Sequence, residues 1–94
     1  MSKRTAFNID EARHFGAEIG IDWERSAFPV EEFRAGMNVE LEHGLHDLET
    51  NVTGDDPHVT AKIARAHLNE FADYYTRLER MEEEAKRDWG TRTA

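Results

Sequence analysis

Apolar side chains recur at intervals of three and four positions along the second half of the chain, between Asp56 and Trp89. Because each residue of an α-helix turns by about 100° from the last, positions with this spacing lie on one face. The pattern predicts one long helix, or two helices end to end, over residues 56–89. Its central face collects Val59, Ile63, Ala66, His67, Glu70, Tyr74, Leu78 and Met81.

A second apolar cluster lies about a third of a turn round the same helix and comprises Ala64, Leu68, Phe71 and Tyr75. The apolar arc is therefore wide, and we expect more than one element of the fold to pack against it. Aromatic residues at helical spacing are more often core than surface. A binding surface is the alternative for the aromatic set Phe71, Tyr74, Tyr75 and Trp89.

Helix 1 is predicted over residues 8–20. Asn8 suits the N-cap, and Glu11 follows three residues later, as in a capping box. Gly20 is a natural helix terminator. The buried side of this helix is expected to consist of Ile9, Ala12, Phe15, Gly16 and Ile19.

Helix 2 is predicted over residues 29–43, with Pro29 at its first position and Gly44 ending it. An acidic, polar loop should follow over residues 45–56, and Asp56 should cap the next helix. No segment alternates as a β-strand does. The sequence therefore predicts an all-α fold: a single domain over residues 1–94, built as a compact bundle of three to four helices with a long C-terminal helix.

Composition narrows the functional classes. The formal net charge of −8 repels phosphate backbones, so nucleic acid is not expected as a direct ligand. No apolar run approaches the roughly 20 residues of a membrane span, and the start of the chain lacks an apolar signal-peptide core. We expect a cytoplasmic protein without a membrane partner.

Cysteine is absent, and no serine elbow or glycine-rich phosphate loop occurs. A non-enzymatic role is therefore favoured, and an enzyme would have to be metal-dependent.

Two Glu/His pairs stand out as candidate metal ligands. Glu40 and His43 are three apart on helix 2, and His67 and Glu70 are three apart on the long helix. Residues at this spacing project from one side of a helix, so each pair could offer two ligands to one ion. Two imidazoles and two carboxylates suit zinc, iron or manganese.

The alternative is a structural network without metal. A buried Glu or His must be paired, because leaving it unpaired costs several kcal/mol. Glu70 could bond His67, His43 or Tyr74, and such a network would fix the register of the helices. The expected buried polar network comprises His67, Glu70 and Tyr74.

Several segments together resemble a known family. The segments are GMNVELEHG (36–44), TNVTGDDP (50–57), KIARAHLNE (62–70) and DYYTRLERME (73–82), which contain the motifs ELEHG, TNVTxDDP, KIAxAHLxE and DYYTRL. They are similar to a small, uncharacterised all-helical family of bacteria and their phages, known only as a domain of unknown function. Where that family carries proline before the DYYT segment, this chain has Ala72, which leaves open whether the helix breaks there. The resemblance implies no activity.

Taken together, these features favour a small acidic protein that works through contacts with a protein partner or by self-association. A phage virion or accessory component is the setting that the resemblance implies. The second hypothesis is a metal-binding protein that uses Glu40, His43, His67 and Glu70.

Overall fold

The computed structural model of the chain describes residues 6–46 and 56–89, and for residues 43–46 it describes the backbone alone. Four α-helices follow one another: α1 (Ile9–Glu18), α2 (Val30–His46), α3 (Pro57–Glu70) and α4 (Tyr74–Trp89). The described ranges contain no strand, so the predicted all-α fold is confirmed. None of these helices is long and apolar enough to cross a membrane. Residues 47–55 of the expected loop lie outside the described residues.

Both ends of α1 are set by local hydrogen bonds. Asn8 Oδ1 accepts from the backbone N–H of Glu11 at 2.8 Å, and the Glu11 side chain accepts from the backbone N–H of Asn8 at 3.0 Å. After the helix, Gly20 adopts a positive φ of 98°, which glycine tolerates without strain. The N–H groups of Gly20 and Ile21 then bond back to Ala17 and Gly16, as in a Schellman motif. This reversal buries Ile21 in the core.

Helices α2 and α3 form the centre of the fold, since each of them packs against the other three helices. The buried face of α2 is made of apolar residues. Its residues Phe33, Met37 and Leu41 are buried against apolar side chains of the neighbouring elements. The prediction that Gly44 ends this helix was wrong, because α2 continues to His46. A glycine inside a helix costs only about 1 kcal/mol relative to alanine, so it weakens a helix without obliging it to stop.

The second half of the chain forms two helices rather than one. Helix α3 begins at Pro57, with the Asp56 side chain accepting from the N–H of His58, and it ends at Glu70. Phe71 is extended, with φ −141° and ψ 120°. Helix α4 starts three residues later, and Glu32 of α2 accepts hydrogen bonds from the backbone N–H and hydroxyl of Thr76. A carboxylate of α2 thus holds the first turn of α4.

Candidate functional site

A polar contact joins α2, α3 and α4 through one residue from each. The Tyr75 hydroxyl donates to Oε2 of Glu40 over 2.8 Å. Nδ1 of His67 lies 2.9 Å from the same hydroxyl and 3.2 Å from the same carboxylate oxygen. We call Glu40, His67 and Tyr75 the polar triad. Tyr75 is buried, whereas the Glu40 side chain is 14% exposed and that of His67 is 34% exposed.

The hydrogen bonds of the triad determine which nitrogen of His67 carries a proton. The single hydroxyl proton of Tyr75 is directed to Glu40, so the hydroxyl oxygen has only its acceptor capacity left for His67. Nδ1 of His67 must therefore be the donor, which leaves the lone pair on Nε2 in the neutral imidazole. Every buried side-chain nitrogen or oxygen among the described residues has a hydrogen-bond partner. The described hydrogen bonds of His67 engage Nδ1 and not Nε2, and its side chain is 34% exposed.

The environment of Tyr75 keeps its hydroxyl protonated. Burial, followed by the hydrogen bond to Glu40 and the charge of that carboxylate, raises the pKa of Tyr75 above its ordinary value. The phenol therefore stays neutral and remains a hydrogen-bond donor throughout the physiological pH range.

Tyr74 covers the imidazole of His67 from one side. The two rings are stacked with centroids 4.5 Å apart and planes 5° apart. Tyr74 therefore meets His67 by ring stacking, and the stack restricts the orientation of the imidazole.

Glu70 does not take part in a buried network, and its expected burial was wrong. It is the last residue of α3, and its side chain is exposed to solvent. The chain leaves the helix at Phe71, so the apolar face predicted to run through Glu70 ends there. Glu40 of α2 supplies the carboxylate beside His67 instead.

The four-residue metal site remains a prediction. Glu40 and His67 approach each other, but Glu70 faces solvent, and the side chain of His43 lies outside the described residues. Among the described side chains, no group of three or more His, Asp or Glu residues is arranged to hold an ion.

Tyr75 is the residue of this site that the sequence-based prediction missed. Its ring lies against Gly36 of α2, where an added Cβ would overlap three ring carbons. Gly36 precedes Glu40 by one helical turn, so both lie on one face of α2. Gly36 leaves room for the Tyr75 ring, and Glu40 accepts the hydrogen bond of its hydroxyl. A glycine one helical turn before a glutamate on helix 2 is the signal that could have indicated the contact.

A second notable surface is the far end of α4. Every residue from 79 to 89 is exposed, including the apolar Met81 and Ala85, whereas Leu78 just before them is partly buried against the core. Met81 is 56% exposed, and Trp89 at the end of the helix is 69% exposed. The predicted aromatic set is thus divided, with Tyr75 in the core and Phe71 and Trp89 among the exposed residues.

Comparison with known proteins places the chain in a family. Residues 12–84 match the family described as "Protein of unknown function (DUF5661)". The chain belongs to this family. The match runs from α1 into α4, so the whole polar triad and Met81 of α4 lie within the DUF5661 region. No curated protein and no solved structure matches the chain. The predicted resemblance to an uncharacterised domain of unknown function is confirmed to that extent.

Proposed function

We propose that this protein is a small helical interaction module, and that α4 binds an apolar groove with a basic rim on another protein. One observation carries this proposal. Every residue of the last three turns of α4 is exposed, and Met81 among them has more than half of its surface in water.

The spacing of the apolar residues suits a helix that lies in a groove. Leu78, Met81 and Ala85 follow one another at intervals of three and four, so they form a stripe along one side of α4. We call this set the α4 stripe. Helix-in-groove recognition uses anchors at this spacing. Burying a methionine side chain contributes on the order of 1.5–3 kcal/mol, so a partner that covers Met81 gains binding free energy.

Charge favours a basic partner over a second copy of the chain. Residues 79–89 contain five acidic and three basic residues, and the whole chain has a net charge of −8. Two copies carrying this charge repel each other, whereas a groove bordered by Lys and Arg attracts the same helix. The setting we propose is the cytoplasm, or a virion if a phage encodes the protein.

Metal binding at His67 is the second candidate function. The observation that favours it is the hydrogen bond of Nδ1 to the Glu40–Tyr75 pair, which leaves Nε2 available as a ligand. Metal-binding histidines commonly donate their other ring N–H to a carboxylate in this way. The predicted ligand set is Glu40, His43, His67 and Glu70, and in this arrangement Glu40 would orient the imidazole of His67 rather than bind the ion.

The proposed function can be tested by face-specific photo-cross-linking in cells. A photoreactive phenylalanine analogue would replace Met81 in one version of the protein and Glu83 in the matched control. Both positions are exposed, and they lie on opposite sides of α4 because two residues turn the helix by about 200°. We expect a defined adduct with a basic protein from position 81 and none from position 83.

The partner identified in this way must then bind the purified protein. We expect Met81→Glu to weaken that binding at least about tenfold, because a charge replaces a buried side chain, and Glu83→Gln to change it little. Equal adducts from both faces, no adduct from either, or unaltered binding of Met81→Glu would overturn the proposal.

A further inference from the structure

We propose that a groove between the α1–α2 connector and α3 binds a small molecule with an apolar body and a single carboxylate. The groove has a volume of about 330 Å³ and is lined by residues 20–22 and 25–28 together with three residues of α3. It lies apart from the polar triad and from the α4 stripe, so this proposal does not depend on the proposed contact with a partner.

The floor of the groove is apolar. Ile21 and Phe28 come from the connector and Leu68 comes from α3, and all three side chains are buried members of the core. Small-molecule sites combine an apolar lining with a few converging polar groups, and their volumes begin at about 300 Å³. The groove is at the small end of that range, so it suits a ligand about the size of a substituted aromatic ring.

The wall of the groove is cationic. Arg65 of α3 is partly buried, and its Nη1 donates to the carbonyl oxygen of Ile19 over 2.7 Å. That bond fixes the guanidinium at the C-terminal end of α1 and uses one of its five N–H donors. Asn69 follows Arg65 by one helical turn and also lines the groove. A guanidinium held in place beside an amide is suited to a carboxylate.

The opposite wall carries a second arginine. Arg25 lines the groove from the connector and is exposed, with its Nε 3.8 Å from the carboxylate of Asp22. The charged side chains that line the groove are thus two arginines and one aspartate, which leaves it positive in a chain with a net charge of −8. This local excess of positive charge is why we assign an anionic ligand.

The connector that forms this wall is already ordered by its own hydrogen bonds. The Ser26 hydroxyl donates to the carbonyl of Phe28 over 2.8 Å, and the indole N–H of Trp23 donates to the carbonyl of Arg13 over 2.9 Å. A ligand that enters a groove formed in advance does not have to order the chain around it, and so loses less of its binding energy.

The test is a titration of the ¹⁵N-labelled full chain, followed by the shifts of its amide and arginine side-chain signals. Phenylacetate serves as the probe, phenylacetamide as its uncharged counterpart, and acetate as the carboxylate without an apolar body. We expect saturable shifts of Ile21, Arg65 and Asn69 with phenylacetate. Each of the other two compounds should bind at least about tenfold more weakly, because phenylacetamide lacks the negative charge and acetate lacks the apolar body.

Two variants assign the effect to the groove. Arg65→Gln keeps a side-chain donor for Ile19 but removes the charge, and it should weaken phenylacetate binding at least about tenfold. Arg77→Gln, on α4, is the matched control and should leave binding unchanged. Should Arg65→Gln fail to fold, Ala27→Trp decides the matter, since Ala27 is an exposed residue that lines the groove and an indole there would fill it.

The proposal is overturned if phenylacetamide or acetate binds as well as phenylacetate does. It is equally overturned if phenylacetate causes no saturable shift, if the shifts cluster elsewhere, or if Ala27→Trp binds phenylacetate like the unaltered protein.

Discussion

The Tyr75 hydroxyl lies 2.9 Å from Nδ1 of His67, although eight positions separate the two residues in the chain. In an uninterrupted helix they would be about 12 Å apart along the axis. The turn at residues 71–73 brings them together, and it also carries Tyr75 to Glu40 of α2. The polar triad therefore exists only because the chain leaves the helix after Glu70.

The close approach of Tyr75 to Gly36 should make Gly36→Ala destabilising. The new methyl group would overlap the Tyr75 ring, and overpacking of this kind costs about 1–3 kcal/mol. Urea unfolding measures the change. Ala35→Ser, on the exposed side of the same helix, is the control and should change stability by about 0.5 kcal/mol or less. A more stable Gly36→Ala protein, as helix propensity alone predicts, would contradict the packing described above.

Tyr75 and Glu40 should be energetically coupled. Tyr75→Phe removes the donor to a largely buried carboxylate, and we expect it to cost about 1–3 kcal/mol. Glu40→Gln and the double variant complete the cycle, with an expected coupling energy of at least about 0.5 kcal/mol in urea unfolding. If the two single effects simply add, the hydrogen bond does not contribute to stability.

Stability should fall at alkaline pH because of Tyr75. Its pKa is raised in the folded protein, so above about pH 10 the unfolded chain loses this proton while the folded chain keeps it. The contribution is fully present below that pH and declines above it, by up to about 1.4 kcal/mol per pH unit. Urea midpoints measured against pH should show this decline, and Tyr75→Phe should show less of it. Identical profiles for the two proteins would refute the prediction.

The metal hypothesis makes a prediction about natively purified protein. If an ion binds at His67, elemental analysis should find near-stoichiometric zinc, iron or manganese, and His67→Ala should lose it. If the triad is purely structural, no metal will copurify and His67→Ala will only be less stable, by about 1–3 kcal/mol. Asn69→Ala, an exposed neighbour on the same helix, controls for nonspecific effects of substitution.

Local signals in the sequence were sufficient for the helical class and for several helix ends. The capping box of Asn8 and Glu11, the reversal at Gly20 and the cap at Asp56 each depend on residues within one helical turn. Phe33, Met37 and Leu41, which are buried in α2, lie four residues apart, the spacing that places residues on one helical face. The position of His67 on a largely apolar helical face was also visible from spacing alone.

Only the tertiary structure decided which groups meet. Helical periodicity put Glu70 beside His67, but the chain turns away at Phe71, and the carboxylate near the imidazole belongs to Glu40, 27 positions earlier. Alanine at position 72 does not oblige a helix to end, so the break depends on contacts such as those of Tyr75 with Gly36 and of Thr76 with Glu32. A helical wheel assigns residues to faces within one helix, whereas the packing of helices against each other depends on side-chain shape and hydrogen bonding across the whole domain.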